Sequence, residues 1–251
     1  MTFENSDLKL VIPSDGAMYE STLEFMANVG LSVERESKRR YIATIPNLSG
    51  ITVLLLRSAD ITSTLEDGSA DLGLLGEDRY QELRQEDLPT AIILGNLNYG
   101  NCSLTIGVPN SWSDVDSIAD LAEVAIEFRE KGLSMRVATK SPRLTEKFLL
   151  SHGISYFSLV RLSGTLELAP EMGFADIIAD ITSTGTTMRE NQLKTIQGGI
   201  IIESEACLVG NKTQLASDPV KLRISQELVQ IITSYFKNQI TDVDVRYNLE
   251  K

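Results

Sequence analysis

Apolar and polar positions switch between two periods along the chain. "LKLVIP" (8–13) is a short β-rich run, and "YESTLEFMANVG" (19–30) follows with apolar residues at helical spacing and a closing glycine. "ITVLLLRSAD" is a second apolar run, "ITSTLEDGSA" a short helix, and "DLGLLGEDRYQEL" a short strand before a polar helix. The alternation continues through "AIILGNL", "CSLTIGVP", "MRVATK" followed by "LTEKFLLSHG", "SYFSLVRL", and "ADIIADI" before a helix in "TTMRENQLKTI". Strands and helices taking turns predict an α/β architecture with mainly parallel sheet. "DPVKLRISQELVQIITSYFKNQI" carries Leu222, Ile224, Leu228, Ile231, Ile232 and Phe236 on one stripe, an amphipathic helix expected to pack on its own lobe. No repeat and no Pro/Ser/Gly linker stands out, so two lobes would share hinge crossings, near "NYGNC" and after "STGTT". The expected division is 1–98 and 187–215 in lobe I, 99–186 in lobe II, and 216–251 as C-terminal helix and tail.

With 251 residues and 42% apolar content, the chain can bury one large core or two lobes. No apolar run approaches the roughly 18 residues of a membrane span. "MTFENSDLKLVIPSDG" has no basic region followed by an apolar stretch, which predicts a cytoplasmic protein without a membrane role. Cys102 and Cys207 lack metal-ligand spacing and belong to no thiol motif, as reduced core residues do. The 23 basic and 35 acidic residues leave a net charge of −12, which argues against nucleic acid as a partner. Anionic small molecules remain open to it, held by backbone amides, helix starts and bound cations.

One stretch suits such a ligand. In "DIIADITSTGTT", Asp176 and Asp180 are four residues apart, so on an extended strand both carboxylates are expected on one face and at one edge. Beyond them Thr184, Gly185, Thr186 and Thr187 offer hydroxyls and N–H groups where a helix begins, with glycine allowing a tight turn. The loop would wrap a phosphate monoester, while the carboxylates accept hydrogen bonds from sugar hydroxyls or hold Mg²⁺ through water. Helix caps and strand-end acids account for the same residues, and the stretch alone does not separate the two readings. The only histidine, His152, closes a helix in "LLSHGI" and reads as structural; no serine sits in a nucleophile elbow.

Around this stretch, over roughly residues 8–210, the chain resembles the ATP phosphoribosyltransferases, which open histidine biosynthesis. The matching blocks are "LLLRSADI" with Arg57 and Asp60, "DGSADLGLLGED" with Asp71, Gly73 and Gly76, "NYGNCSL", "RVATKSP" with Arg136 and Lys140, and "LSGTLELAPEMGFADIIADITSTGTT". The resemblance implies a two-lobed fold like that of periplasmic binding proteins, with an active-site cleft between the lobes. It implies that N1 of the ATP adenine ring displaces pyrophosphate from phosphoribosyl diphosphate, with Mg²⁺ as cofactor. Such a transfer needs positioning and electrostatics rather than a conspicuous base. By position, Asp176, Asp180, Thr184, Gly185, Thr186 and Thr187 would bind phosphoribosyl diphosphate. Asp180, Glu167 and Arg57 would serve catalysis, Glu167 and Asp180 the metal, and Arg57, Asp71, Gly73 and Ser163 the nucleotide. Arg136 and Lys140 would meet pyrophosphate.

The chain also departs from that family. Where a Lys-Gly-Arg-Leu-like turn is usual, it reads "PSDGAM", so Ser14, Asp15 and Ala17 replace a basic turn with an acidic one. Ser103 stands where an arginine is usual, and Ser141 replaces an aromatic before Pro142. These losses are expected to cluster on the nucleotide side, where an aspartate beside a triphosphate costs binding. Only about 40 residues follow "CLVGN", too few for the regulatory domain of the family's long form. The short form implies a separate subunit resembling histidyl-tRNA synthetase, and a homo-oligomer. Two function classes follow: an ATP phosphoribosyltransferase, or a catalytically silent paralogue acting as a regulatory or ligand-binding module. A solute-binding protein is disfavoured by the missing export signal.

Overall fold

The computed structural model describes residues 7–37, 39–162, 164–183, 185–239, 243–247 and 249. The chain runs β1 (Leu8–Pro13), α1 (Gly16–Asn28), β2 (Ile42–Thr44), β3 (Ile51–Leu56), α2 (Ser58–Glu66), β4 (Leu72–Gly76), α3 (Glu77–Leu83) and β5 (Thr90–Gly95). It continues with β6 (Cys102–Pro109), α4 (Ile118–Glu130), β7 (Met135–Thr139), α5 (Pro142–Ser151), β8 (Phe157–Arg161), a 3-10 turn at Leu166–Leu168, β9 (Ile177–Thr182), α6 (Thr186–Glu190) and β10 (Leu193–Ser204). It closes with β11 (Ala206–Asn211), α7 (Lys212–Ser217), α8 (Pro219–Asn238) and β12 (Asp244–Val245).

Two compact units result: Met1–Gly100 with Glu205–Lys251, and Asn101–Ser204. Unit 1 holds the sheet β12-β5-β11-β4-β1-β3-β2. "LKLVIP" reads as an unbroken apolar run because both faces of β1 are covered. Leu8, Leu10 and Ile12 join Val53, Leu72, Leu208 and the α1 and α8 side chains, while Val11 packs on the other face with Ile61, Leu65 and Tyr80. α8 buries Ile224, Leu228, Ile232 and Phe236 against its own unit, each side chain contributing roughly 1.5–3 kcal/mol before entropy. Asp218 caps it, accepting the Val220 N–H at 2.9 Å.

Unit 2 holds the sheet β10-β6-β9-β7-β8. Leu121 and Ala125 of α4 and Leu149 of α5 pack with Val137 and Ile177, and the other face gathers Ala138, Leu166, Ile178, Met188 and Leu193.

Three expectations need correction. The sheets are mixed rather than mainly parallel: β1 pairs in parallel with β3 and β4, and β7 with β8 and β9, but β11 runs antiparallel to β4 and β5, and β6 to β9 and β10. Strands reached directly from the other unit need no crossover helix, so they insert antiparallel. The helix expected over 186–196 stops at Glu190; Gln192 turns left-handed (φ 58°) and the chain becomes β10, paired with β6. That pairing keeps residues 187–204 in unit 2, so the return expected at 187 falls at 204–205 and the outward crossing at 100–101.

Candidate active site

In open α/β sheets, ligands gather outside the carboxyl ends of the parallel strands. In unit 2 those are the ends of β7, β8 and β9. β9 leaves its sheet at Thr182, whose Oγ1 accepts the Gly185 N–H at 2.7 Å and folds the loop into a tight turn. Gly185 takes φ +69° at the start of α6, and a Cβ there would lie 3.0 Å from Arg189 Nη1, so both backbone and space call for glycine. Thr186 and Thr187 open α6 with exposed side chains. Arg189 folds back over the turn, its Nη2 donating to Thr186 Oγ1 at 3.2 Å. Sequence reading missed this cation, although a three-residue helical spacing to Thr186 was there to suggest it.

Asp180 stands half-buried near the same strand end, its Oδ1 accepting the Ile181 N–H at 2.9 Å. Burial pushes its carboxyl above the usual aspartate range, and the charge of Glu167 in the 3-10 turn pushes the same way; the Ile181 N–H and Lys140 oppose them. Asp180, Glu167 and Lys140 therefore form one electrostatic group. Lys140 follows β7, where Thr139 Oγ1 accepts the Ser141 N–H at 3.0 Å and Pro142 opens α5. Among the described residues no group of three or more His, Cys, Asp or Glu is set to hold a metal ion. The Asp180 and Glu167 pair would leave further positions to substrate oxygens and water, as Mg²⁺ sites commonly do.

Within unit 1, the carboxyl ends of the parallel strands are those of β1, β3 and β4. The Ser14 N–H donates to the Leu56 carbonyl at 2.7 Å, tying the Ser14–Ala17 turn to the end of β3. Gly16 is left-handed at φ +73°. Arg57 occupies the N-cap position of α2 without a side-chain bond to the helix start, exposed and without an ion pair among the described residues. His152 is exposed and spent on local contacts, with Nδ1 2.9 Å from the Phe148 carbonyl and its ring 4.3 Å from that phenyl ring.

Comparison with known proteins gives this geometry its context. A family model described as HisG, ATP phosphoribosyltransferase, matches residues 57–234. An ATP phosphoribosyltransferase of Mesorhizobium japonicum is 38% identical over 220 residues, which cover 86% of this chain and 95% of that protein. The chain belongs to the ATP phosphoribosyltransferase family. One from Brucella anthropi is 39% identical over 203 residues, 80% of this chain and 88% of the relative. A solved ATP phosphoribosyltransferase, in a HisG:HisZ complex from Thermotoga maritima, superposes with a TM-score of 0.64 at 25% identity, over 92% of this chain and 96% of that one. The alkanesulfonate-binding protein SsuA of Xanthomonas axonopodis pv. citri matches at 0.51 and 14% identity, over 93% of this chain and 74% of its own. The fold is the two-lobed, periplasmic-binding-protein-like one.

Several residues that the ATP phosphoribosyltransferase resemblance assigned to substrates are occupied otherwise. Asp71 is 1% exposed and pins unit 1 together: its carboxylate accepts the Lys9 N–H at 2.8 Å and pairs with Lys221 Nζ at 3.0 Å. It precedes β4, about 16 Å of strand from the edge that carries Arg57. Gly73 is a packing residue, since a Cβ there would sit 2.9 Å from Leu65 Cδ1 and 3.0 Å from Ile61 Cγ2 of α2. Asp176 and Asp180 do not meet at one edge. Asp176 precedes β9, about 13 Å along the strand from Asp180. There it takes the Arg136 guanidinium at 2.8 and 3.2 Å and the Arg136 N–H at 2.7 Å. Arg136 is thereby held away from any pyrophosphate near Lys140. Ser103 pairs in register with Thr182, so its lost arginine belongs to unit 2, and only the Ser14 and Ala17 losses fall on unit 1. Thr184 and Ser163 lie outside the described residues.

Proposed function

We propose that this chain joins N1 of the ATP adenine ring to the anomeric carbon of phosphoribosyl diphosphate, the opening step of histidine biosynthesis. The observation that carries the reading is family membership over nearly the full length of the relatives, together with the left-handed Gly185 turn at the end of β9. In the reaction the N1–carbon bond forms as the carbon–oxygen bond to pyrophosphate breaks, and that electron pair leaves with pyrophosphate. The positive charge gained by the adenine ring spreads to its exocyclic amine, which sheds a proton to water. No strong base is required.

Gly185, Thr186 and Thr187 would take the 5-phosphate, with Arg189 as a nearby cation. Asp180 would accept hydrogen bonds from the ribose hydroxyls, its burial making unpaired charge costly and a hydroxyl partner welcome. Arg57 and the Ser14–Ala17 turn would face the ATP phosphates. The Asp180 and Glu167 pair suits a Mg²⁺ ion, which when bound would neutralise the departing pyrophosphate. Lys140, in the same group, would supply a second positive charge. We further read the chain as a cytoplasmic homo-oligomer that works with a subunit resembling histidyl-tRNA synthetase. The HisG:HisZ composition of the Thermotoga maritima complex supports that partner. Among the described residues no helix is long and apolar enough to cross a membrane.

The deciding experiment incubates purified chain with ATP, phosphoribosyl diphosphate and Mg²⁺, alone and with the HisZ-type subunit of its own genome. Phosphoribosyl-ATP and pyrophosphate are expected in equal amounts. Binding of phosphoribosyl diphosphate without product in either arm would establish the silent-paralogue reading instead.

A further inference from the structure

The family match ends at residue 234, within α8, and residues 243–247 beyond it lie as a strap on β5 of the same unit. Asp244 and Val245 pair with Gly95 and Leu94 of β5, the Arg246 N–H donates to the Ile93 carbonyl at 3.1 Å, and Lys212 Nζ lies 5.7 Å from the Tyr247 ring centre. The Arg246 guanidinium lies over Gly95, where a Cβ would come within 3.0 Å of Nε and 3.1 Å of Nη2. Gly95 is not left-handed, so what it provides is room. From that slot Arg246 Nη1 donates to Glu77 Oε1, and Nε to Asp244 Oδ2 at 2.6 Å.

Glu77 is the first residue after β4, and β4 lies beside β1 in the sheet. The register of that pairing, Leu10 with Leu72 and Val11 with Gly73, brings the start of α3 beside the Ser14–Ala17 turn, while the Glu77 carboxylate itself turns toward Arg246 on the β5 side. Resting on the functional reading above, we propose that Arg246 is a positioning residue for the nucleotide: it holds and neutralises Glu77, so that this edge does not repel the ATP polyphosphate. The turn beside it carries Asp15 and lacks the family's basic pair. On a chain of net charge −12, one further uncompensated carboxylate there weighs directly against a polyanion.

The test compares wild type with Arg246→Ala, Arg246→Lys, Glu77→Gln and the double variant Arg246→Ala/Glu77→Gln. Measured are KM for each substrate, kcat, and ATP affinity by calorimetry. Arg246→Ala is expected to raise KM and Kd for ATP about threefold or more, with KM for phosphoribosyl diphosphate unchanged and the effect fading in high salt. Arg246→Lys and the double variant should recover most of the loss. Glu77→Gln alone removes one carboxylate while Arg246 keeps its pair with Asp244, and should tighten ATP binding, an arm that stands even if Arg246→Ala fails to fold. Unchanged ATP affinity in Arg246→Ala, no recovery in the double variant, or weaker binding in Glu77→Gln would overturn the proposal and leave the strap as a stabilising clasp. If wild type makes no phosphoribosyl-ATP, the functional reading fails while the calorimetric arms still decide the role of Arg246.

Discussion

Replacing Asp71 by alanine separates a structural role from a substrate role at one position. The carboxylate is almost wholly enclosed and accepts both the Lys9 N–H and the ammonium of Lys221, itself only 15% exposed. Asp71→Ala leaves that ammonium largely out of water without its partner and the N–H unpaired, a loss of about 3–5 kcal/mol. For a domain of this size the urea dependence is roughly 2 kcal/mol per molar, so the midpoint should fall by about 1.5–2.5 M. Trp112, the only tryptophan, lies in unit 2, so its fluorescence follows that unit while far-UV circular dichroism follows both. The dichroism transition should move far and the tryptophan transition little. Asp71→Leu with Lys221→Met should recover most of the stability, because an apolar pair of similar volume leaves no orphaned charge. KM for ATP in Asp71→Ala should stay near the wild-type value under folding conditions. An unmoved unfolding curve together with a sharply raised KM for ATP would refute this reasoning and return Asp71 to the nucleotide.

Gly185→Val should lower calorimetric affinity for phosphoribosyl diphosphate about tenfold or more, because a β-branched residue resists φ +69° and crowds Arg189; unchanged affinity would remove the loop from the site. Asp180→Asn should weaken the same ligand yet raise the melting temperature near neutral pH. Burial raises the folded-state pKa of Asp180, so ionising it costs stability as pH climbs above the ordinary carboxylate range; the gain in the variant should vanish in acid, and a variant less stable at every pH would contradict this. Ser14→Lys with Ala17→Arg should tighten ATP binding about tenfold or more by restoring phosphate contacts, and equal affinity in wild type and variant would show that other residues already supply them.

What the sequence reveals is local, and what it conceals is pairing across distance. The apolar runs at 8–13, 51–56, 72–76 and 177–182 are legible as strands because covered sheet faces demand them. α4 was also within reach, since Ser117 and Asp120 form the capping box that the pattern S-x-x-D announces. β10 was not, because "LKTIQGGIII" becomes a strand only through the partner offered by β6. The same division holds at the site. Gly185 and Asp180 lie where strand and turn signals place them. Asp71 and Asp176 look equally catalytic on paper, and only the arrival of Lys221, 150 residues later, and of Arg136, 40 residues earlier, shows that their charges are already satisfied. The strap was invisible for the same reason, as nothing near residue 246 announces a slot at Gly95.

β11 lies between β4 and β5, yet it is made about 110 residues after β5 ends. On a ribosome adding roughly 5–20 residues per second, the flanks of β4 and β5 wait about 5–20 s for the strand that joins them. During that interval Asn101–Ser204 emerges as one continuous stretch, able to fold while the earlier half of its host is still unfinished. The fully buried strand Leu72–Gly76 is meanwhile an open apolar edge of the kind that other nascent chains or chaperones seize. Yield in the cell should accordingly depend on translation speed between codons 96 and 205, a sensitivity that an uninterrupted order of strands would not impose.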